Sequence, residues 1–278
     1  MPLMLFSLRR IIGWLLPSLA LAVSAGCGLL PEIQDQTEGW SANQLYTTGK
    51  EALTEGNYPD AIRYYEILQA RYPFGRYAQQ AALETAYAYY QYDEPDDAIS
   101  TLDRFIRTYP RHPFVDYAYY LKGLVNFYRT TSFLDRIIPS DPTRTDSAAA
   151  RQAFQDFDEL VRRFPESRYA EDARQRMIYL HNNLAAFEVN VADYYMRRGA
   201  FVAAAGRARY VVENFGRAPA VEDALAIMAE AYIELGLVDL AQDATRVLAT
   251  NVPDSTHLPR INQRLRQAGA SSATVSAS

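Results

Sequence analysis

Side chains that could act as nucleophiles or metal ligands are scarce in this chain of 278 residues. It contains one cysteine, Cys27, and three histidines that lie far apart in the sequence: His112, His181 and His257. A single cysteine excludes an intramolecular disulfide and any zinc site built on two or more cysteines. His181 has no second histidine within a helical turn, so a structural histidine is favoured there over a metal ligand.

Acidic side chains form a local cluster around Pro95, at Asp93, Glu94, Asp96 and Asp97. A cation site is one interpretation of this cluster. A turn before a helix is favoured over it, because carboxylates interact favourably with a helix N-terminus. The sequence also lacks the motifs of serine hydrolases, zinc proteases, P-loops and dinucleotide-binding folds. We therefore predict a protein that is not an enzyme and that holds no metal or cofactor.

The charge and composition narrow the class of partner. The formal net charge is −5, whereas a non-specific nucleic-acid binder needs a basic excess to neutralise phosphates. Hydrophobic residues make up 49% and charged residues 22%, proportions typical of a folded chain. We predict a folded domain or repeat array that binds no nucleic acid.

The cysteine ends an N-terminal segment with the features of a secretory signal. Residues 1–26 carry two arginines, no acid and a largely apolar stretch that is shorter than the roughly 20 residues of a transmembrane helix. Ser24-Ala25-Gly26-Cys27 resembles a bacterial lipobox, which implies cleavage before Cys27 and lipidation of that residue. A signal peptide with a chance cysteine beside its cleavage site is the alternative. Gly28 implies sorting to the outer membrane.

An internal repeat in the sequence predicts the helices that position the remaining side chains. An alanine recurs at one position of this repeat: Ala61, Ala98, Ala153, Ala204 and Ala241. A small residue precedes each alanine, where the two helices of a pair cross closely: Gly49, Ala86, Gly123, Ala192 and Ala229. Proline or glycine ends each unit. The pattern matches the tetratricopeptide repeat and predicts an all-α fold, an α-solenoid of about five helix pairs sharing one core.

Irregular spacing between the repeats completes the predicted organisation. Repeat three carries an insertion at about 130–147, whose apolar side chains either dock on a partner or pack under the array. The extra residues of repeat four fall in a stretch without glycine or proline, which predicts a long helix. The predicted parts are a lipoprotein signal peptide (1–26), a lipidated tether (27–40), an N-terminal half with repeats 1–3 (41–166), a C-terminal half with repeats 4–5, the long helix and an extra terminal helix (167–267), and a disordered tail (268–278).

Aromatic residues are concentrated on the predicted first helices of repeats 1–3. In tetratricopeptide proteins these helices line a concave groove, and tyrosine suits peptide binding because it combines a rigid apolar face with a hydroxyl group. The candidate peptide-binding residues are Tyr46, Tyr87, Tyr90, Tyr117, Tyr120 and Phe127, with Phe74 and Gly75 at the rim after repeat one. The alternative is that many of these rings only pack between helices. The matching positions in repeats 4 and 5 are charged. The groove is therefore predicted to be aromatic in its N-terminal half and charged in its C-terminal half.

Several short runs resemble one family of bacterial lipoproteins, the tetratricopeptide-repeat subunit of the β-barrel assembly (BAM) machinery in Gram-negative outer membranes. The most distinctive runs are Arg71-Tyr72-Pro73-Phe74-Gly75, Leu121-Lys122-Gly123-Leu124 and Ala192-Asp193-Tyr194-Tyr195. The resemblance covers roughly 43–252. The chain departs from the family pattern at Ser24, in the proline-containing loop of repeat three, and in an extension after about Pro253.

The resemblance implies a scaffold on the periplasmic face of the outer membrane, anchored through Cys27. Its N-terminal repeats would bind the targeting signals of unfolded outer-membrane proteins. Its C-terminal repeats would dock on a POTRA domain of the barrel subunit BamA, and sister lipoproteins would bind along its flank. Arg207 corresponds to the family's partner-facing arginine, and Arg197 is the second candidate for partner binding.

Two other functions compete with this interpretation. One is a scaffold of the same repeat type for peptidoglycan synthesis or another envelope complex, which would copurify with different proteins. The other is an envelope enzyme, which needs a cluster of titratable side chains in a pocket. The sequence shows no obvious cluster of that kind.

Overall fold

The computed structural model describes residues 35–129 and 147–275, with side chains described as far as Ala268. All regular secondary structure within these ranges is helical. Eleven helices follow one another there: α1 (Ala42–Thr54), α2 (Tyr58–Arg71), α3 (Arg76–Gln91), α4 (Pro95–Thr108), α5 (Val115–Arg129), α6 (Ser147–Arg163), α7 (Ala170–Arg197), α8 (Phe201–Asn214), α9 (Val221–Glu234), α10 (Val238–Asn251) and α11 (Leu258–Val275). The predicted all-α class is confirmed.

The helices form five successive pairs, α1–α2, α3–α4, α5–α6, α7–α8 and α9–α10. Each helix packs against the next one in the chain. First helices of neighbouring pairs are also in contact: α1 packs against α3, and α7 packs against α9. One pair alone cannot cover its apolar faces, so each pair depends on its neighbours for a closed core. This arrangement is the α-solenoid that the repeat predicts.

In the first and third pairs, a glycine lies where the two helices cross, because an aromatic ring of the second helix fills the space beside it. A Cβ atom on Gly49 would lie 2.7 Å from the ring of Tyr65, and one on Gly123 would lie 2.5 Å from the ring of Phe157. Both rings are fully buried. The second, fourth and fifth pairs carry fully buried alanines at this position: Ala86, Ala192 and Ala229. The small residues therefore set how closely each pair of helices approaches.

The turns within the first, second, fourth and fifth pairs, which the structure describes, follow one backbone pattern. Gly56, Gly199 and Gly236 end first helices with φ values of +79°, +71° and +72°. Asp93 adopts the same left-handed conformation in repeat two, with φ +64°. The next residue, Glu94, donates its backbone N–H to the carbonyl of Tyr89, which closes the helix end. The acidic cluster around Pro95 thus forms the turn into α4, as favoured from the sequence.

Two helices, α7 and α11, are longer than the other helices of the array. The additional residues of repeat four lie in α7, which has 28 residues. Helix α11 runs to Val275, where the sequence predicts a disordered tail from residue 268. An existing helix is extended without a new nucleation step, so α11 can run on into residues that would not start a helix by themselves.

Several predicted features lie outside the described residues. These are the signal peptide, Cys27 and the tether up to residue 34, the 130–146 part of the repeat-three insertion, and the last three residues of the predicted tail. Residues 35–41 belong to a different unit from the helices. Within that unit, Asp35 accepts hydrogen bonds from both the backbone N–H and the hydroxyl of Thr37, at 2.9 and 2.6 Å.

Among the described helices, none combines the length and the apolar character needed to cross a membrane.

Candidate functional site

Glu84, in the middle of α3, accepts hydrogen bonds from three polar side chains of repeat one. Its Oε1 accepts hydrogen bonds from the hydroxyl of Tyr46 at 2.9 Å and from the ammonium of Lys50 at 3.0 Å. Its Oε2 accepts the hydroxyl of Tyr65. Burial, together with the Glu84 carboxylate, raises the pKa of Tyr46 and of Tyr65 above its usual range. The Tyr46 hydroxyl is therefore engaged within the array, and its ring packs 5.3 Å from that of Tyr77.

An open cavity of about 310 Å³ lies beside Glu84 and is built by three consecutive repeats. Its apolar walls are Leu53, Leu83, Tyr87, Phe114 and Tyr117, and its polar side holds Lys50, Gln80 and Glu84. The volume is at the lower end of the range for small-ligand pockets, so it suits one large side chain rather than a longer segment. Two of the predicted peptide-binding residues, Tyr87 and Tyr117, line this cavity.

Two connected rows of rings, which we call the aromatic belt, follow α3, α5 and α7. In the first row the ring centroids of Tyr87 and Tyr90 are 6.3 Å apart, those of Tyr90 and Tyr128 are 6.0 Å apart, and those of Phe127 and Tyr179 are 5.8 Å apart. An edge contact of 5.5 Å joins Phe127 to Tyr128. These spacings are those of favourable aromatic pairs.

The second row of the belt is centred on Tyr169. Its ring stacks on Tyr120 at 4.8 Å and lies 5.5 Å from that of Tyr117. Tyr120 and Phe127 both approach Phe157 in the core, at 6.1 and 6.3 Å, which joins the two rows. Five predicted receivers therefore meet in one belt, whereas Tyr46 belongs to the separate cluster around Glu84.

Charged groups on α7 hold part of the belt in place. The Tyr120 hydroxyl donates to Asp172 at 2.7 Å, and Arg176 donates to the same carboxylate at 2.6 Å. The Arg176 guanidinium also lies 4.9 Å from the centre of the Phe127 ring, within the range of a cation–π contact. Burial and the neighbouring Asp172 carboxylate raise the pKa of Tyr120 to about 12.

Two phenylalanines in the turns between repeats are exposed at equivalent positions. Phe74 is 91% exposed and precedes Tyr77 by three residues; Phe114 is 57% exposed and precedes Tyr117 by three. Gly75, beside Phe74, has φ +103° and so fits the predicted rim turn. Sequence reasoning missed Phe114 as a site residue, although the shared spacing to a tyrosine was a readable signal.

The C-terminal half presents its two candidate arginines differently. Arg207, on α8, donates to the Oε2 atom of Glu188 at 2.8 Å. Glu188 is a buried residue of α7, whereas the Arg207 side chain is about half exposed. Arg197 pairs with Asp193 one turn earlier on α7, and both side chains are largely exposed. Arg207 is thus fixed by a buried partner, and Arg197 is held only by a surface pair.

The acidic groove positions of repeat five are paired with α11 and with the residue that precedes it. His257 contacts Asp223 at 2.8 Å, Arg260 pairs with Glu230, and Arg264 pairs with Glu234. The charged character predicted for this end of the groove is therefore balanced by the chain's own terminal helix. Within 35–129 and 147–275, no group of three or more histidine, cysteine, aspartate or glutamate side chains is placed to hold a metal ion.

Comparison with known proteins identifies the family. The sequence profile of the YfiO family, described as an outer membrane lipoprotein, matches residues 39–248. The chain belongs to the YfiO family. The matched stretch contains the cavity beside Glu84, the aromatic belt and both candidate arginines.

Relatives of this YfiO-family chain carry the name outer membrane protein assembly factor BamD. One from Neisseria meningitidis serogroup B is 45% identical over 240 residues, which cover 86% of this chain and 90% of the relative. One from Vibrio cholerae serotype O1 is 35% identical over 233 residues, covering 84% and 95%. Among solved structures, a thermophilic TPR protein of Thermus thermophilus is similar at 14% identity and a TM-score of 0.34, over 82% of this chain and 98% of that one.

Proposed function

We propose that this YfiO-family protein is a lipid-anchored periplasmic scaffold of the outer-membrane β-barrel assembly (BAM) complex. The observation that carries the proposal is its similarity to BamD assembly factors along nearly their whole length. Cys27, directly after Ser24-Ala25-Gly26, is the proposed lipidation site and would hold the protein at the periplasmic face of the outer membrane. Several acyl chains on one residue give stable anchoring, whereas a single chain gives only marginal binding.

The N-terminal repeats are the proposed receiver of targeting signals from unfolded outer-membrane proteins. The aromatic belt offers flat apolar faces along α3, α5 and α7, and the cavity beside Glu84 offers a recess for one side chain. Tyr87, Tyr90, Tyr117, Tyr120 and Phe127 are the proposed contacts, with Phe74, Gly75 and Phe114 at the edge. Tyr46 contributes through Glu84, because its hydroxyl is already bonded there.

The C-terminal repeats are the proposed dock for a POTRA domain of a BamA-type barrel subunit. Arg207 and Arg197 are the proposed partner-binding side chains, and both side chains are about half exposed or more. Sister lipoproteins of the complex are the remaining proposed partners, along the flank of the array. With signal binding in one half and docking in the other, one chain brings substrate and barrel subunit together.

A detergent pulldown with the full-length lipidated protein, followed by mass spectrometry, tests this function. We expect recovery of a POTRA-bearing barrel subunit, and loss of the protein from the membrane fraction in a Cys27→Ser variant. Recovery of peptidoglycan-synthesis enzymes without any barrel subunit would contradict the proposal and favour the alternative scaffold. A Cys27→Ser protein that stays in the membrane fraction would contradict the lipid anchor alone.

A further inference from the structure

The turns between the first three repeats expose aromatic rings on one edge of the array. Phe74, in the turn from α2 to α3, is almost wholly exposed, and Tyr72 beside it is also exposed. Phe114, in the turn from α4 to α5, is more than half exposed. Covering such rings with apolar material would remove their apolar surface from water, which favours binding.

Arginines accompany these rings, and acidic residues are absent. Residues 67–83 contain Arg71 and Arg76 and no acid, and residues 104–115 contain three arginines and no acid. The next acid along the chain, Asp116, is half-buried. We call the side chains of these two turns the basic edge: Arg71, Tyr72, Phe74, Arg76, Arg107, Arg111 and Phe114.

The turns within repeats one and two, at the other ends of the same helices, are acidic. Residues 51–60 carry three acids and no basic residue, and residues 92–97 carry four acids and no basic residue. Arg129 reaches one of these acids, Asp96, at 2.6 Å. Because consecutive helices pack against each other through short turns, the two sets of turns are separated by the helix length, about 20 Å. Charge is therefore separated across these repeats, positive at one edge and negative at the other.

The chain enters the array at the basic edge. Helix α1 begins at Ala42, and Asn43 in its first turn accepts a hydrogen bond from the hydroxyl of Tyr77 at 2.7 Å. Tyr77 lies in the first turn of α3, just after the turn that carries Phe74. Cys27 precedes Ala42 by 15 residues, a stretch that spans about 50 Å at most. A lipid anchor at Cys27 would keep the basic edge within that distance of the bilayer, at a high effective concentration.

We propose that the basic edge lies against the anionic phospholipid surface to which Cys27 is attached. Phe74 enters the boundary between headgroups and acyl chains, and the arginines bind lipid phosphates. The acidic turns face away from the membrane, because lipid phosphates repel carboxylates. The inference rests on the lipid anchor of the proposed function and adds an orientation, which a flexible anchor alone does not fix.

This orientation has a consequence for the cavity beside Glu84. Phe114 belongs to the basic edge and also lines that cavity. The cavity therefore opens next to the membrane surface, and a substrate segment bound in it stays beside the bilayer.

A fluorescent label tests the contact in the full-length lipidated protein. Cys27 is the only cysteine and is acylated in this protein, so Phe74→Cys supplies a single thiol for an NBD probe. In vesicles of phosphatidylethanolamine and phosphatidylglycerol, a lipid-borne nitroxide should quench the label at 74. Glu55→Cys is the matched control, because Glu55 is exposed in the acidic turn of the same repeat, and its label should not be quenched.

Replacing arginines tests the charged part of the contact. Arg76→Gln together with Arg111→Gln should reduce quenching of the label at 74 about threefold, because the attraction to anionic headgroups is lost. Vesicles of phosphatidylcholine alone should produce the same reduction without any substitution. Arg209→Gln together with Arg246→Gln removes two exposed arginines from repeats four and five and should leave the quenching unchanged.

The outcomes separate this contact from the anchor on which it rests. Mass spectrometry of the same preparation reports whether Cys27 is acylated, and an unmodified Cys27 would contradict the anchor and with it this orientation. Acylated protein with equal quenching at 74 and 55 would overturn the orientation and leave the anchor intact. A label at 74 that is shielded only after partner subunits are added would assign this edge to a protein and overturn the membrane contact.

Discussion

At the scale of single residues, several tyrosines of this array fasten neighbouring helices through a carboxylate. Tyr46 donates to Glu84, Tyr89 donates to Glu66, and Tyr120 donates to Asp172. Each bond joins two different helices, while the ring itself remains half-buried at the surface. The same side chain can therefore position a repeat and offer an apolar face to a peptide, so the two interpretations of the tyrosines are not exclusive.

In the aromatic belt, the contribution of the tyrosine rings to peptide binding can be measured separately from that of their hydroxyl groups. Replacing Tyr90 and Tyr120 together by alanine should weaken binding of a substrate's C-terminal peptide about tenfold, because apolar faces that a peptide would cover are removed. Tyr120→Phe should bind normally, since it loses only the bond to Asp172. Fluorescence anisotropy with a labelled peptide measures both.

Tyr64→Ala, on the second helix of repeat one, is a suitable control for that experiment because it removes a tyrosine outside the belt. Circular dichroism should show equal helicity in all variants. Peptide affinity unchanged in the double variant would exclude the belt as the receiver.

Alkaline pH should weaken the hydrogen bonds that Tyr89 and Tyr120 donate to carboxylates, and with them the stability of the fold. Burial and a neighbouring carboxylate raise the pKa of Tyr89 and of Tyr120 to about 12, from about 10 in an unfolded chain. The stability from these phenols is fully present below pH 10 and is lost as the pH rises through 12. Urea unfolding should therefore show a falling free energy of unfolding from pH 10 upwards.

Tyr89→Phe keeps the ring but cannot ionise, so its free energy of unfolding should fall less steeply over the same pH range. Absorbance at 295 nm reports tyrosinate formation in parallel. An identical slope in the variant and the wild type would show that Tyr89 ionisation is not linked to stability.

At the scale of helices, the crossing glycines fix the geometry of each pair. Gly123→Ala should lower the free energy of unfolding by about 1–3 kcal/mol, because the new Cβ would lie 2.5 Å from the buried ring of Phe157. Gly206→Ala is the matched control, since none of the described atoms lies within 4 Å of a Cβ there. It should raise stability by up to about 1 kcal/mol, as expected for alanine within a helix.

A second substitution identifies the cause of the loss. Phe157→Leu should be less harmful in the Gly123→Ala background than alone, because the smaller side chain relieves the clash. Additive effects of the two substitutions, measured by urea unfolding, would contradict the crossing as the source of strain.

The helix pairs were predictable from the sequence because their signal is local. Small residues at the crossings and alanines one helix later repeat at spacings set by helix geometry, so Gly49 and Ala61 could be read without a structure. The side-chain partners were not predictable in this way. Tyr46 and Glu84 are 38 residues apart, and Arg151 and Glu188 are 37 apart, so their meeting depends on how successive repeats stack.

The candidate site was predictable in part for the same reason. Tyr87, Tyr90, Tyr117 and Tyr120 were identified from their positions on first helices, and the structure brings them into one belt. That Tyr46 lies in a separate cluster around Glu84, and that Phe114 lines the neighbouring cavity, depend on contacts between repeats. The spacing that Phe114 shares with Phe74 can be read from the sequence, but no local pattern encodes the contacts themselves.

At the scale of the helical array, α11 covers the end that a further repeat would otherwise cover. Ile261 is fully buried in a cluster with Leu225 and Leu248, and the arginines of α11 pair with acidic residues of α9. Repeat arrays transmit stability mainly to nearest neighbours. The cap should therefore matter most for repeat five.

Ile261→Ala should lower the opening free energy of α9 and α10 by about 2–4 kcal/mol, because it leaves a cavity at the contact between α11 and repeat five. Hydrogen exchange should show the loss of protection there, with α1–α4 unchanged. Arg260→Gln tests the ionic contribution and should have an effect below about 1 kcal/mol, since Arg260 is largely exposed and Glu230 keeps a second arginine, Arg264, at 3.8 Å. Equal losses from the two variants would mean that charge attaches the cap, and a loss spread evenly over all repeats would mean that the array unfolds as one cooperative unit.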